Sequence, residues 1–327
     1  IVQSNDVDSR DEYFTVRRVG RGTPLSRKER AEVWEVFELY REMLDSEHKS
    51  EWADLIRETR LFIEKQGLKL PYRAVLSDEV QDFTAGDLKL LRAIAPEGQD
   101  TMFVVGDGHQ RIYGTPVVLG RCGIEIRGRS RRLKLNYRTT EQIGLHAIAI
   151  VKGLEIDDLD GGIDSLKGYS ALRSGPVPII QCFTAEAEEA DLVRKVVREW
   201  IEEGVSPESI CISSRTHSQI DRRYSQILDN EGIEWLKVER DPQSEASKPG
   251  VRLATMHRMK GLEFSRVILA GVQAGKMPLE AGDYADHASF EDHELRERCL
   301  LYVACTRARD ALVIVGYGSP SPFLDFS

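Results

Sequence analysis

The sequence from Tyr72 onward alternates short apolar runs with longer stretches of helical spacing. The first two apolar runs are Ala74–Leu76 and Thr101–Val105, and amphipathic segments separate the later ones. Parallel strands need a crossover between them, usually a helix, so this alternation is typical of parallel sheets covered by helices. The chain is therefore predicted to adopt an α/β fold.

The apolar runs fall into two groups that divide near Gly128–Leu133. We predict a helical segment at residues 1–71, a partial first sheet domain at 72–130 and a second sheet domain at 131–327. The predicted strands are Ala74–Leu76, Thr101–Val105, Leu133–Leu135, Pro178–Phe183, Ser209–Ser213, Arg252–Thr255, Arg266–Ala270 and Ala311–Val315. The predicted helices between them are Thr84–Ala93, Thr140–Gly153, Ala185–Glu203, Gln219–Glu231 and His293–Arg307.

Two helices are predicted ahead of the first sheet. Ser26 is a suitable N-cap for a helix over Arg27–Leu44, and Gly67 stands where a helix over Trp52–Gln66 needs a C-cap. This segment carries no catalytic pattern, so we interpret it as a helical subdomain. The apolar faces expected to be buried are Val33, Val36, Phe37, Tyr40 and Leu44 on the first helix, and Leu55, Ile56, Leu61 and Phe62 on the second.

Composition argues against several classes of protein. Charged residues make up 30% and hydrophobic residues 41% of the 327 residues, as in a soluble globular protein. The net charge of −9 indicates that any nucleic-acid-binding surface is local. The five cysteines form no Cys-x-x-Cys pair, which argues against a zinc site or disulfides and favours the reducing cytoplasm. No apolar run has the length of a membrane span, and a chain that begins at Ile1 rather than methionine suggests a fragment.

Three carboxylates follow the first predicted strand. Asp78, Glu79 and Asp82 come directly after it, and ligands of parallel α/β sheets bind at the carboxyl ends of strands. Asp78 can hold Mg²⁺, while Glu79 can orient and deprotonate a water that attacks a phosphate. The alternative is structural: the strand runs into an acidic helix cap, with Asp82 near the amino terminus of the helix Thr84–Ala93.

Polar side chains also follow the next two predicted strands. After the second strand, Gln110 can sense a γ-phosphate or its attacking water, and Tyr113 can stack on a base. After the third strand, Tyr137 can cover a nucleobase, and Arg138 can neutralise charge on a transferred phosphoryl group. The structural alternatives are a Gly-Asp-Gly turn at the first place and a solvated arginine at a helix start at the second.

Two later stretches carry the same kind of chemistry. In Thr255–Phe264 a strand ends in Thr and His, and a glycine and then Glu263 follow, an acid that can bind a ribose hydroxyl. A packed, purely structural His257 is the alternative there. Arg307 and Arg309 lie two residues apart near a helix end, so one can face a nucleotide and the other the solvent or the sheet.

In this order the stretches resemble the motifs of the UvrD/Rep/PcrA group of superfamily 1 DNA helicases. The resemblance spans at least Tyr72 to Gly316, and more loosely includes Trp52–Ile63. The matching segments are Asp78–Asp82 for motif II, Gly106–Tyr113 for motif III, Asn136–Thr140 for motif IV, Thr255–Phe264 for motif V and Tyr302–Arg309 for motif VI.

The resemblance implies two RecA-like domains, the first incomplete, whose cleft closes on ATP and Mg²⁺ to drive 3′ to 5′ steps along DNA. The implied partner is single-stranded DNA or a junction of single- and double-stranded DNA. Asp78 would hold Mg²⁺, Glu79 would be the base, Gln110 would couple the γ-phosphate to DNA, and Arg138 and Arg307 would be arginine fingers. The other implied residues are Tyr137, Gly261 and Glu263 for the nucleotide, and Tyr113, Thr255 and His257 for DNA.

Three departures from the family pattern limit what is expected. No Gly-x-x-x-x-Gly-Lys-Ser/Thr loop occurs, because Gly275-Lys276 is followed by Met277-Pro278, so the phosphate-binding loop is expected ahead of Ile1. Motif III continues into Thr115-Pro116 instead of an aromatic-Arg-Gly segment, which weakens base stacking near Tyr113. The loop Glu239–Lys248 is too short for an inserted domain, so duplex-opening elements are expected to be reduced.

The leading interpretation is part of an ATP-dependent DNA helicase or translocase, inactive as this chain alone. The alternative is a non-catalytic DNA- or protein-binding module that kept the scaffold, and a nucleoside triphosphatase without a nucleic-acid role is less favoured. A local basic run can contact a phosphate backbone or be a solvated loop. Its residues are Arg121, Arg127, Arg129, Arg131, Arg132 and Lys134.

Overall fold

The chain divides into two units and passes between them more than once. The first unit contains Ile1–Arg131, Glu155–Asp164 and Asp283–His293, and the second contains Arg132–Leu154, Ser165–Gly282 and Glu294–Ser327. The computed structural model describes residue 7 and residues 9–15, 25–98, 100–114, 116–164, 168–239, 248–280 and 287–324. Most of the predicted loop Glu239–Lys248 lies outside the described residues, as does Thr115.

Local signals determine the bounds of the first helices. The helices are α1 (Arg10–Thr15), α2 (Arg27–Ser46) and α3 (Trp52–Gln66). Ser26 Oγ accepts from the Glu29 amide at 3.3 Å and the Glu29 carboxylate accepts from the Ser26 amide at 2.7 Å, which is a complete capping box. Gly67 ends α3 in the left-handed region. Both predicted caps are confirmed.

The buried face of α2 differs from the prediction. Phe37, one of the predicted residues, packs against the buried Trp34, whereas Val36 is 68% exposed and Val33 and Tyr40 are also exposed. The reason is α1, which was not predicted: its Tyr13 ring lies 5.5 Å from the Trp34 ring. Because α1 supplies the packing partner, it decides which side of α2 is covered.

The buried face of α3 was also predicted wrongly. Leu55, Leu61 and Phe62 are exposed, and the buried residues are Ile63 and Asp54. Asp54 tolerates burial because its carboxylate accepts a 2.6 Å hydrogen bond from Arg41 on α2. An ion pair between two helices therefore replaces part of the expected apolar contact.

The first unit contains a two-stranded parallel sheet of β1 (Val75–Ser77) and β2 (Met102–Val104), with α4 (Ala85–Ile94) between them. The prediction of a buried first strand is wrong for Leu76, which is 75% exposed beside its cross-strand partner Phe103. The other face packs on an apolar cluster. Its buried members are Val80, Leu88, Leu119, Cys122, Ile124 and Leu159.

The second unit is built on a six-stranded sheet in the order β5-β10-β9-β6-β8-β7, and every pairing in it is parallel. The strands are β5 (Ile179–Phe183), β6 (Ile210–Ser214), β7 (Trp235–Lys237), β8 (Val251–Thr255), β9 (Phe264–Leu269) and β10 (Ala308–Tyr317). The helices are α5 (Glu141–Val151), α6 (Glu186–Glu202), α7 (His217–Gln219), α8 (Ser225–Asn230) and α9 (His287–Cys305), and α9 runs across a boundary between the units. The predicted α/β fold with parallel sheets is confirmed.

A separate two-stranded sheet joins β3 (Leu135–Thr140) to β4 (Ser170–Arg173). The sequence predicted a strand over Leu133–Leu135 with Asn136–Thr140 after it, but β3 contains those residues. Arg138 therefore lies in a strand and not at a helix start. The polar residues of β3 have no apolar pattern that would predict a strand. Their strand conformation depends on packing against neighbouring strands, which local sequence does not show.

Two further differences concern helix and strand content. The strands β4 and β7 were not predicted, and the predicted helix Gln219–Glu231 is interrupted by a π-helical turn at Ile220–Tyr224. Among the described residues, none of the helices combines the length and apolar character needed to cross a membrane.

Candidate functional site

The carboxyl end of β1 presents two acidic side chains. Asp78 and Glu79 are both exposed, and Asp78 Oδ1 accepts from the Glu79 amide at 2.8 Å. Glu79 has φ 55°, a left-handed conformation that non-glycine residues adopt at a cost of about 1–3 kcal/mol. The helix α4 is capped by its own Thr84–Asp87 box, so neither acid is needed as its cap. The structural alternative for this pair therefore loses its main support.

Motif III follows β2 and contacts motif II. Gln81 is buried and joins the two: its Nε2 donates to the Glu79 carboxylate and its Oε1 accepts from the Asp107 amide at 3.0 Å. Asp107 in turn accepts from Gln110 Nε2 at 2.9 Å. The structure thus brings Glu79 and Gln110, predicted separately from sequence, into one hydrogen-bonded network in the first unit.

Asp107 is held as a carboxylate within this network. Its burial raises the pKa, but hydrogen bonds from the His109 and Gln110 side chains and the nearby His109 outweigh burial, so the pKa lies below its ordinary value. An ionised Asp107 is a strong acceptor for the Gln110 amide. The orientation of Gln110 is therefore set by a charged group.

In the second unit, three predicted residues gather at the amino ends of β9 and β10. Arg138 Nε lies 2.9 Å from Glu263 Oε2, and both side chains are about half exposed. The next residue, Phe264, donates its amide to Arg307 O at 2.9 Å. Tyr137 and Gly261 are exposed near these residues in sequence. Arg138, Glu263 and Arg307 of the second unit thus lie near one another at the amino ends of β9 and β10.

The Arg307 side chain is buried, with 3% of its surface exposed. Its Nε donates to Val303 O at 3.1 Å and its Nη2 to Thr306 Oγ1 at 3.2 Å. Arg309 is exposed in β10, as one of the two arginines was expected to be. Asp78 and Glu79 belong to the first unit and Arg307 to the second, so the expectation that both arginines reach motif II stays a prediction.

The predicted DNA-contacting residues of motif V lie at the opposite, carboxyl end of β8. Thr255 ends the strand and His257 lies in the 3₁₀ turn Met256–Met259 that follows. Burial and the nearby Arg215 lower the pKa of His257 to about 4, against a smaller opposing effect of Glu297. His257 is therefore neutral at pH 7 and cannot offer a charge to a phosphate.

A charged pair that was not predicted from the sequence lies beside His257. Arg215 follows β6 directly, and its Nε and Nη2 donate to Glu297 of α9 at 2.9 and 2.7 Å. Glu297 is buried and also accepts from the Leu279 amide at 3.0 Å. The position of Arg215 immediately after a predicted strand was a usable signal, whereas nothing local in the sequence pointed to its partner.

A second missed group lies at the amino edge of β9 and β10. Asp310 accepts from Arg173 and, at 2.6 Å, from Ser265 Oγ. Burial raises the pKa of Asp310, but these two hydrogen bonds outweigh it and the pKa lies below its ordinary value. Asp310 of β10 thus links Arg173, at the end of β4, with Ser265 of β9, two residues after Glu263.

The predicted aromatic residues and the basic run lie on the surface. Tyr113 is 47% and Tyr137 69% exposed. In the basic run, Arg129 and Arg131 donate to backbone carbonyls of Glu125 and Ser130. All six basic side chains are exposed, as both the phosphate-contact and the solvated-loop interpretations require.

The pKa of His257 predicts a specific acid sensitivity. Between pH 6.5 and about 4 the unfolded chain protonates this histidine while the folded chain does not, so stability falls as the pH falls through this window. We expect His257→Gln to make the thermal unfolding midpoint less dependent on pH in this window. His217→Gln, at an exposed histidine of the same unit, serves as the control. An unchanged pH slope in His257→Gln would contradict the buried, neutral state.

Two segments of the chain match models of known protein families. Residues 8–115 match the family model of the UvrD/REP helicase N-terminal domain, and residues 235–318 match that of the UvrD-like helicase C-terminal domain. The solved C-terminal domain of a possible DNA helicase from a Lactobacillus aligns with 57% of this chain at 20% identity and a TM-score of 0.42, too low a score to establish a shared fold.

Several known proteins are similar to this chain over most of its length or over a shorter segment. DNA helicase IV of Escherichia coli K12 is 27% identical over 86% of this chain and 39% of its own length. ATP-dependent DNA helicase UvrD2 of Mycobacterium tuberculosis H37Rv is 24% identical over 95% of this chain and 58% of its own length. A putative ATP-dependent DNA helicase of Bacillus subtilis, YjcD, is 45% identical over 69 residues, 20% of this chain and 9% of that protein. The chain thus spans less than two thirds of the length of each of these relatives.

Proposed function

Because the chain belongs to the UvrD/Rep-like superfamily 1 helicases, whose N- and C-terminal domain models both match it, we propose that it is part of an ATP-dependent DNA helicase or translocase. In this proposal ATP hydrolysis drives 3′ to 5′ movement along single-stranded DNA. The relatives named as ATP-dependent DNA helicases support it. Since the chain spans only part of these relatives, the activity is proposed for a protein that contains this chain together with a phosphate-binding loop.

The observation that carries the proposal is the contact between motifs II and III. Gln81 bonds to the Glu79 carboxylate and to the Asp107 amide, and Asp107 bonds to Gln110. A candidate base and a candidate γ-phosphate sensor are therefore parts of one network beside an exposed Asp78. Such an arrangement suits phosphoryl transfer to water, because catalysis of that reaction is almost entirely positioning and electrostatic stabilisation.

The chemistry of the donors suits Mg²⁺. This ion prefers oxygen ligands, usually one or two carboxylates together with phosphate oxygens and water. Asp78 is an exposed carboxylate at the end of a strand and would hold the ion, while Glu79 accepts the proton of the attacking water. Bound Mg²⁺ would neutralise charge on the β- and γ-phosphates.

The second unit would contribute to the same reaction from the amino ends of β9 and β10. Arg138 forms an exposed pair with Glu263, and such pairs contribute only about 0–1 kcal/mol, so the guanidinium can exchange this partner for a phosphate. Glu263 would then be released to accept from a ribose hydroxyl. Tyr137 would cover the adenine, and Gly261 would let the backbone approach the nucleotide.

DNA would contact the other end of the same sheet. Thr255 and His257 lie at the carboxyl end of β8, whereas Glu263 precedes β9, which runs parallel to β8 with β6 between them. In this proposal nucleotide and DNA would therefore bind at opposite ends of the same six-stranded sheet. Tyr113 would be a further DNA contact in the first unit.

The test is DNA-stimulated ATP hydrolysis by the complete protein. We expect turnover that rises on adding single-stranded DNA, and no turnover above background for the 327-residue chain, which contains no Gly-x-x-x-x-Gly-Lys-Ser/Thr loop. Loss of that phosphate-binding loop removes on the order of several kcal/mol of electrostatic stabilisation. DNA binding without hydrolysis by the complete protein would instead support a non-catalytic module, and comparable turnover by the short chain would contradict the need for the loop.

A further inference from the structure

The acidic segment Glu155–Asp164 is part of the first unit although it follows α5 of the second unit in sequence. Leu159 O accepts from the Leu119 amide at 3.0 Å, and the Leu159 side chain belongs to the apolar cluster that contains Val80 and Leu88. Val80 is the residue after Glu79. The segment is therefore packed directly behind motif II.

Motif III accommodates this segment through its glycines. A Cβ atom at Gly108 would lie 2.4 Å from the Asp157 carbonyl oxygen, a distance that side chains do not tolerate. A Cβ atom at Gly106 would lie 2.8 Å from Val80 and 3.0 Å from Leu159. The close approach of the segment backbone to motif III thus depends on glycine at position 108, and Gly106 leaves room for the side chains of Val80 and Leu159.

A first chain of contacts leads from Asp157 to the candidate base. Asp157 accepts from both terminal nitrogens of Arg111, whose side chain is 9% exposed. Arg111 Nε donates to the Gln81 carbonyl at 3.2 Å, and the Gln81 side chain donates to Glu79. One carboxylate of the segment is therefore connected to Glu79 through two intermediate residues.

A second chain leads from Asp164 to the candidate phosphate sensor. His109 Nδ1 lies 3.4 Å from Asp164 Oδ2 and 3.4 Å from Asp107 Oδ1, and the His109 side chain is 5% exposed. Asp107 accepts from Gln110 Nε2 through its other oxygen. Both chains of contacts begin in the same ten-residue segment and end at the two groups that the proposed reaction uses.

We propose that Asp157 and Asp164 are positioning residues that orient Glu79 and Gln110 from behind. The proposal rests on the proposed function, because it assigns these carboxylates to the ATP hydrolysis of the same site. Neither aspartate touches the nucleotide in this account. Asp157 acts through Arg111 and Gln81, and Asp164 acts through His109 and Asp107.

The test uses the complete protein and the variants Asp157→Asn and Asp164→Asn. At position 157 asparagine keeps the side-chain oxygen that accepts from the Leu159 amide but removes the charge that holds Arg111. At position 164 it removes the charge that faces His109. We expect each variant to lower kcat for DNA-stimulated hydrolysis by about 10- to 100-fold with KM for ATP nearly unchanged, the scale of a small misplacement of reacting groups. Turnover is expressed per site that binds a fluorescent ATP analogue, so that unfolded protein does not count.

The matched control is Asp160→Asn in the same segment. Asp160 pairs only loosely, at 3.9 Å, with the 80% exposed Arg127 side chain, and we expect the kcat of Asp160→Asn to equal that of the wild type.

A double variant distinguishes a positioning role of Asp157 from a purely structural role. In a Gln81→Ala background Asp157→Asn should cause little further loss, because Asp157 acts through Gln81, whereas a purely structural role would add its full effect.

The outcomes distinguish this proposal from the proposed function. A wild-type protein that does not hydrolyse ATP overturns the proposed function, and with it the role given to both aspartates. A wild-type protein that hydrolyses ATP, with Asp157→Asn and Asp164→Asn as active per nucleotide site as Asp160→Asn, overturns the positioning role alone. Full additivity with Gln81→Ala also overturns it.

Discussion

Replacement of Glu79 by glutamine is expected to stop ATP hydrolysis by the complete protein while ATP binding remains nearly intact. Glutamine has the same shape as glutamate and places no new demand on the left-handed backbone at this position. The Gln81 side chain, which donates to Glu79, can still find an amide oxygen there. What is lost is the group that accepts the proton of the attacking water, which is worth about 10²- to 10⁴-fold in rate.

Single-turnover hydrolysis and equilibrium binding of a fluorescent ATP analogue measure the two effects separately. Glu58→Gln, at an exposed glutamate of α3, is the matched control and should leave both unchanged. If nucleotide affinity fell as steeply as turnover, Glu79 would be a binding residue and its assignment as base would be wrong.

Arg138→Lys and Arg307→Lys are each expected to slow hydrolysis by about 10²-fold or more, the scale of arginine fingers. Lysine keeps the charge but not the planar fork that binds two phosphate oxygens at once. The two sites differ in their effect on folding. Arg138 forms only a half-exposed pair with Glu263, so its replacement should leave the unfolding midpoint unchanged.

Arg307 is buried and donates to Val303 O and Thr306 Oγ1, so Arg307→Lys should also lower the unfolding midpoint. To reach a phosphate, its guanidinium would have to exchange these acceptors. Arg309→Lys, two residues further on and exposed, is the control for both measurements. Normal hydrolysis per folded molecule in Arg307→Lys would assign this arginine to the structure of the α9–β10 turn alone.

Much of the local structure was predictable from sequence because the forces that produce it act over a few residues. The Ser26–Glu29 capping box and the Gly67 cap involve groups at most three residues apart or one backbone conformation. The same holds for the apolar runs of β5, β6, β8 and β9, which were recognised within one or two residues of their bounds. Strand ends then pointed to Asp78, Glu79 and Gln110, since parallel sheets present their carboxyl ends to ligands.

The failures concern surfaces that only a distant partner can cover. Periodicity found the helix α2 but only part of its buried face, because Tyr13 of α1 covers Trp34 rather than the broader stripe that includes Val36. The polar strand β3 was misplaced for a related reason: its residues form a strand through pairing with β4, which no local propensity revealed.

By itself, the sequence determined the α/β class, most helix and strand bounds and the identity of the acidic, glutamine and arginine candidates. Tertiary structure alone decided which of these residues interact. Arg111 pairs with Asp157 across 46 positions and Arg215 with Glu297 across 82, and both pairs are largely buried. Buried charges of this kind are stable only when the fold brings an opposite charge to each of them. Such pairing follows from the path of the whole chain, so no local pattern could predict it.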